Sequence, residues 1–137
     1  MSAQKEVTPE KELQIKLVKN LLDVIILQFL RTQPMYGYEM IAKIRKVFNV
    51  YFSPSIVYPL LSSLETKAYI SSSWDMENDR PRKVYCLTTE GSNALTISEH
   101  FLTQLNSKTH NTHTTTSETD QTKHDKSQTT TKKNVEP

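Results

Sequence analysis

Ser53-Pro54-Ser55-Ile56-Val57-Tyr58-Pro59-Leu60-Leu61-Ser62-Ser63-Leu64-Glu65 is the most informative run in this 137-residue chain. Ser followed by Pro is a helix-start signal, a capping side chain before a residue whose fixed φ suits the first turn. Val57, Leu60, Leu61 and Leu64 then recur at i, i+3, i+4 and i+7, so a helix from Pro54 to about Lys67 buries one apolar stripe. The other face carries Ser55, Tyr58, Pro59 and Ser62. It is small and polar with one aromatic ring, which suits either a solvated surface or a helix lying in a DNA major groove. Pro59 is costly there, because it removes the bond to the Ser55 carbonyl and bends the axis.

Upstream, Thr8-Pro9-Glu10 repeats the cap-and-proline signal and opens a first helix that runs to Gln33-Pro34. Its last ten residues, from Leu21 to Leu30, are apolar nearly all round. They are therefore expected to be buried on more than one side, with a partner subunit as the natural second side. A second helix from about Tyr36 to Phe48 places Ile41, Ile44 and Phe48 on one face. Gly37, near its start, permits close backbone approach. Tyr36 is open between packing and phosphate contact, and Tyr38 reads as packing.

Downstream, residues 69–74 and 83–87 read as two short strands joined by the charged turn 75–81, a hairpin. Trp74 reads as hairpin packing and Cys86 as a small buried residue. Arg80, Arg82 and Lys83 put three cations at the start of the second strand, within reach of Asp75, Glu77 and Asp79. A last helix from about Thr89 to Lys108 carries Leu95, Leu102 and Leu105. The fold class is therefore mainly α with a small β-hairpin, a winged helix-turn-helix. Its domain spans residues 13–107, after a charged arm and helix start at 1–12. Residues 108–137 hold ten Thr and one aliphatic residue, Val135, and are expected to be a disordered tail.

Composition excludes several classes. One Cys, Cys86, allows neither an internal disulfide nor a Cys-based zinc site. No metal site is expected from the four His, and no cofactor is implied. The two Gly leave little material for a phosphate-cradling loop, and no Ser/His/Asp set or carboxylate pair occurs in the folded segment, so an enzyme is not expected. The longest apolar run contains Asp23 and Gln28, which argues against a membrane span, and a cytoplasmic protein is expected. Residues 1–107 carry 12 basic and 11 acidic groups, a net of +1. Binding to DNA would have to come from local placement of charge.

Three ordered motifs resemble the PadR family of transcriptional regulators, in its short form with one C-terminal helix. They are Pro34-Met35-Tyr36-Gly37-Tyr38-Glu39, the Ser53–Glu65 run, and Arg80-Pro81-Arg82-Lys83-Val84-Tyr85-Cys86-Leu87-Thr88-Thr89-Glu90-Gly91. The resemblance implies a homodimer, formed through the first and last helices, that binds a pseudo-palindromic operator in double-stranded DNA, most simply as a repressor. On that reading DNA contacts fall at Tyr36, Ser53, Ser55, Tyr58, Pro59, Ser62, Arg80, Arg82 and Lys83. Dimer contacts fall at Leu17, Leu21, Val24, Ile25, Leu95, Leu102 and Leu105. Some members bind planar aromatic ligands near the dimer interface, and no residue here demonstrates such an effector. Ser55 and Ala68 depart from the family's usual Gly; the first is expected to alter helix approach to DNA, the second only the turn before the wing. The near-neutral charge keeps a second reading open, a winged-helix module that binds protein rather than DNA.

Overall fold

The elements run α1 (Pro9–Asn20), α2 (Leu22–Thr32), β1 (Met35–Tyr36), α3 (Gly37–Phe48), α4 (Pro54–Thr66), β2 (Ile70–Asp75), β3 (Arg82–Leu87) and α5 (Thr89–Thr114). A computed structural model describes residues 6–77 and 79–114. The chain divides into two units, Met1–His100 and Phe101–Pro137.

The first unit is built around α2. Leu22, Ile25, Ile26, Leu27, Phe29 and Leu30 are all buried, in a cluster with Met40 and Ile44 of α3, Val57, Leu61 and Leu64 of α4, and Leu95 of α5. Burial of each such side chain contributes roughly 1.5–3 kcal/mol before entropy is set against it. Much of this helix's apolar surface is thus already covered by the chain's own helices, while Leu21, Val24 and Gln28 stay half-buried. Of the residues assigned to dimerisation, Ile25 and Leu95 are buried within the chain itself, at 6% and 1% exposure. Of the other residues assigned to dimerisation, Leu17 is exposed and Leu21 and Val24 are half-buried.

Several local readings are also revised. The first helix is interrupted at Leu21 (φ −102°, ψ 11°), although the Leu21 N–H still reaches the Leu17 carbonyl at 3.0 Å. Asp23 Oδ1 accepts from the Val24 N–H at 2.9 Å, a short-range bond of the kind that competes with helical backbone. Tyr36, expected to open the second helix, instead joins Met35 in a third strand. It pairs antiparallel with β3, Met35 opposite Tyr85 and Tyr36 opposite Val84, giving the order β1-β3-β2. Two residues are too few to carry a period-2 pattern. Leu60 is half-buried rather than buried, and so is Cys86.

Thr8 caps α1 as expected, its side chain accepting from the Lys11 N–H at 3.3 Å. At α4 the Ser53 hydroxyl makes no cap bond; it lies 2.7 Å from the Ser55 hydroxyl instead. Thr88 holds the start of α5. Its Oγ1 accepts from the Gly91 N–H at 3.0 Å and donates to the Ala68 carbonyl at 2.5 Å.

Ala68 sits at φ 61°, so its departure from glycine is borne by the backbone. A left-handed conformation costs an L-residue about 1–2 kcal/mol, and glycine gives back about 0.5–1 of that through its looser unfolded chain. Ala68→Gly is therefore expected to stabilise the protein by about 0.5–1 kcal/mol, a rise in Tm of about 2–6 °C that calorimetry would register. An unchanged or lower Tm would show that this turn is not strained.

In the second unit α5 continues to Thr114, past the Lys108 end expected from sequence. Phe101 and Leu105 are exposed and Leu102 half-buried. Residues 115–137, most of the expected tail, lie outside the described residues, as do the first five residues of the N-terminal arm. Among the described residues no helix is long and apolar enough to cross a membrane.

Candidate nucleic-acid interface

The outward face of α4 is as the sequence predicts. Ser55, Tyr58, Pro59 and Ser62 are exposed, while Val57, Leu61 and Leu64 point inward. The Tyr58 ring is seated on Gly37: a Cβ there would lie 2.6 Å from Tyr58 Cε1 and 2.9 Å from its hydroxyl oxygen. Glycine at the start of α3 thus makes room for the aromatic residue of α4. Ser53 and Ser55 bring two hydroxyls to the first turn of α4, where free backbone N–H groups favour an anion.

The wing is tied to the start of α3 by a second cluster. Tyr36 and Tyr38 stack with centroids 5.6 Å apart and an interplanar angle of 6°. The Arg82 guanidinium lies 5.0 Å from the Tyr36 centroid and 5.8 Å from that of Tyr38, and its Nη1 donates to the Tyr38 hydroxyl at 2.9 Å. The Tyr36 hydroxyl donates to Asp75 Oδ2 in a short hydrogen bond. Asp75 stands opposite Arg82 in the β2–β3 register, and its Oδ1 accepts from the Glu77 N–H at 3.0 Å. Tyr36, left open between packing and phosphate, has its hydroxyl engaged by Asp75. Tyr38 and Asp75 are functional neighbours that the sequence reading did not select.

The bond from Tyr36, followed by that from the Glu77 N–H, holds the Asp75 carboxyl below its ordinary value, while the bond to Asp75 pushes the Tyr36 hydroxyl up. A lowered carboxylate favours the folded state above its unfolded value of about 3.9 and loses that contribution as pH falls. A raised phenol favours it below about 10 and loses it as pH rises. The wing attachment is thus insensitive to pH across the neutral range.

Between α4 and the wing lies a groove of about 450 Å³, to which Tyr58, Ser62, Trp74, Arg82 and Lys83 all contribute. Arg80 and Pro81 are exposed at the wing tip. Trp74, expected to pack within the hairpin, is instead 60% exposed. Outside the groove, Arg31 makes a two-pronged ion pair with Glu99 at 2.6 and 3.2 Å, joining α2 to α5, and the guanidinium holds the Glu99 carboxyl below its usual range. Both partners are solvent-exposed, where such pairs contribute little.

Helices, a three-stranded wing and this groove place the chain among winged helices, and comparison with known proteins narrows the class. The family described as "Transcriptional regulator PadR-like family" matches residues 26–97, from the core of α2 into α5. The chain belongs to this PadR-like family. A PadR family transcriptional regulator from Eggerthella lenta is similar at 26% identity, with 81% of this chain and 94% of that one covered and a TM-score of 0.67. A PadR-like transcription factor from Bacteroides fragilis is similar at 26% identity, covering 73% and 97%, with a TM-score of 0.63. A transcriptional regulator from Clostridium thermocellum is likewise 26% identical, covering 71% and 96%, with a TM-score of 0.61. No curated protein matches the sequence. PadR-like proteins are DNA-binding winged-helix transcriptional regulators rather than enzymes, and this chain shares their winged-helix fold.

Proposed function

We propose that this PadR-like protein is a cytoplasmic, homodimeric repressor that binds a pseudo-palindromic operator with α4 in the major groove and the wing beside it. The observation that carries the reading is the groove shared by Tyr58 and Ser62 of α4 with Arg82 and Lys83 of the wing. A helix face of small polar residues and one tyrosine offers hydroxyls to base edges, and adjacent cations suit the phosphates that flank a major groove. The arrangement also answers the near-zero net charge, because the cations needed for docking are gathered at one edge. Exposed Leu13 and Leu17 on α1 and Ile97 on α5 support self-association.

Fluorescence anisotropy across a salt series, with the DNA upstream of the protein's own gene and a scrambled duplex, tests this. Tighter binding to the upstream duplex, two chains per site, and a log–log salt slope of about −0.9 per phosphate contacted are expected. Tyr58→Ala is expected to cost about 1–3 kcal/mol of operator affinity as a base contact, and Arg82→Ala less, as a phosphate contact. Arg82→Ala also releases the Tyr38 hydroxyl and should raise hydrogen exchange in the wing. If both variants bind like the wild type, the docking is wrong. A protein-interaction module would instead bind both duplexes equally and weakly.

A further inference from the structure

We infer that Trp74 is a DNA contact, and that its indole and the Lys83 ammonium together clamp one stretch of sugar–phosphate backbone where it passes between α4 and the wing. The inference rests on the DNA-binding reading above and adds to it a residue that neither the motifs nor the family match selects. Trp74 and Lys83 are direct cross-strand partners in the β2–β3 ladder, and the Lys83 Nζ lies 5.5 Å from the indole centroid. On the same sheet face the next pair inward, Ser72 and Tyr85, is held differently. Tyr85 is buried, and the Ser72 hydroxyl donates to Glu65 Oε1 of α4 at 2.6 Å. The alternation that buries Tyr85 therefore carries Trp74 beyond the end of the core, and the indole is left 60% exposed at the rim of the groove.

An exposed aromatic residue alone is ordinary. The placement is what matters here. The indole shares its groove with Tyr58 and Ser62, the residues placed nearest the bases, and with the cations Arg82 and Lys83. A cation against one side of an indole leaves a surface that is apolar, positively charged and equipped with a single N–H donor that cannot accept. DNA backbone is complementary on each count. Deoxyribose offers apolar C–H groups, and the phosphate oxygens are anionic acceptors. Such a contact is blind to sequence, so it should add affinity to every duplex alike.

Trp74 is the only tryptophan in the chain, so intrinsic fluorescence reports on it directly. The full-length protein is titrated with unlabelled upstream and scrambled duplexes while anisotropy of labelled DNA follows binding. The inference expects Trp74 emission to change in step with the anisotropy isotherm, and acrylamide quenching to fall by about half or more at saturation. Trp74→Ala should weaken both duplexes by roughly tenfold with the salt slope unchanged, whereas Lys83→Ala should reduce that slope by about one. Trp74→Phe, which keeps an apolar ring on the wing, should recover part of the loss. Anisotropy that reports binding while emission and acrylamide access stay constant overturns the inference and leaves the DNA-binding reading standing. No anisotropy change with any duplex, at low salt included, overturns both.

Discussion

Gly91→Ala is expected to abolish most of the folded population, the largest effect of any single methyl group in this protein. A Cβ at Gly91 would lie 1.9 Å from the Tyr69 carbonyl oxygen, 2.8 Å from its carbon and 2.8 Å from Leu87 Cδ1. The first two are backbone atoms, so no rotamer change relieves the overlap. Nor can the backbone easily withdraw. The Tyr69 carbonyl accepts from the Thr88 N–H at 3.1 Å, and Thr88 also binds the Ala68 carbonyl and the Gly91 N–H. The start of α5 must therefore lift off the turn that precedes the wing, and the two hydrogen bonds from Thr88 to the Tyr69 and Ala68 carbonyls are lost with it. A cost on the order of 4 kcal/mol or more follows from overpacking and bond loss together. Against a typical total of about 5–15 kcal/mol, that leaves a marginal or unfolded chain. Urea denaturation measures the loss; a midpoint within error of the wild type would show that α5 is not held there. Gly37→Ala is the control, because the obstruction is the far end of the Tyr58 side chain, which can swing away.

The second large effect is expected at Leu61, fully buried on the inner face of α4 and one turn from Val57 and Leu64. Leu61→Ala removes three heavy atoms from a packed core and leaves a cavity, which costs about 2–5 kcal/mol. Denaturant midpoints should shift by that amount with little change in slope. The outward residues Tyr58 and Ser62 are untouched, so operator affinity of the folded fraction should remain within about threefold of the wild type, far from the loss expected for Tyr58→Ala. An equal loss of affinity in Leu61→Ala and Tyr58→Ala would mean that the cavity deforms α4 along its length.

How legible each element was depends on the range of the interaction that makes it. The stripe Val57, Leu61 and Leu64 is local in sequence, and its spacing alone sets which face of α4 turns outward. The Thr8 cap and the helix start after Ser53 are local too. The interruption at Leu21 is not, because apolar spacing is continuous across it and only the backbone angles mark it. Strand β1 exists because β3, some fifty residues away, supplies its hydrogen-bond partners. The tie from Tyr36 to Asp75 crosses 39 positions and pairs two residue types with no fixed spacing, so no pattern announces it. Trp74 was misplaced for a related reason. An aromatic residue at a strand end reads as packing, and only the ladder register shows that the core has ended before it. Met40, absent from the expected α3 face, is fully buried in the core cluster.

The union of β1 with β3 also bears on how this head would meet its target. A wing joined to the domain only through its own hairpin could pivot, trading contact geometry for entropy at each encounter. Here the central strand is paired along both edges, and Arg82 at its outer end, with Asp75 opposite it on β2, is fastened to Tyr38 and Tyr36 at the start of α3. Helix and wing therefore present one preformed surface, so little ordering cost should accompany docking. If α4 and the wing dock on DNA as proposed, a single head should behave as a template with a fixed spacing between them. Tolerance for variation in a target would then arise from how two heads are carried relative to each other, or from bending of the DNA itself.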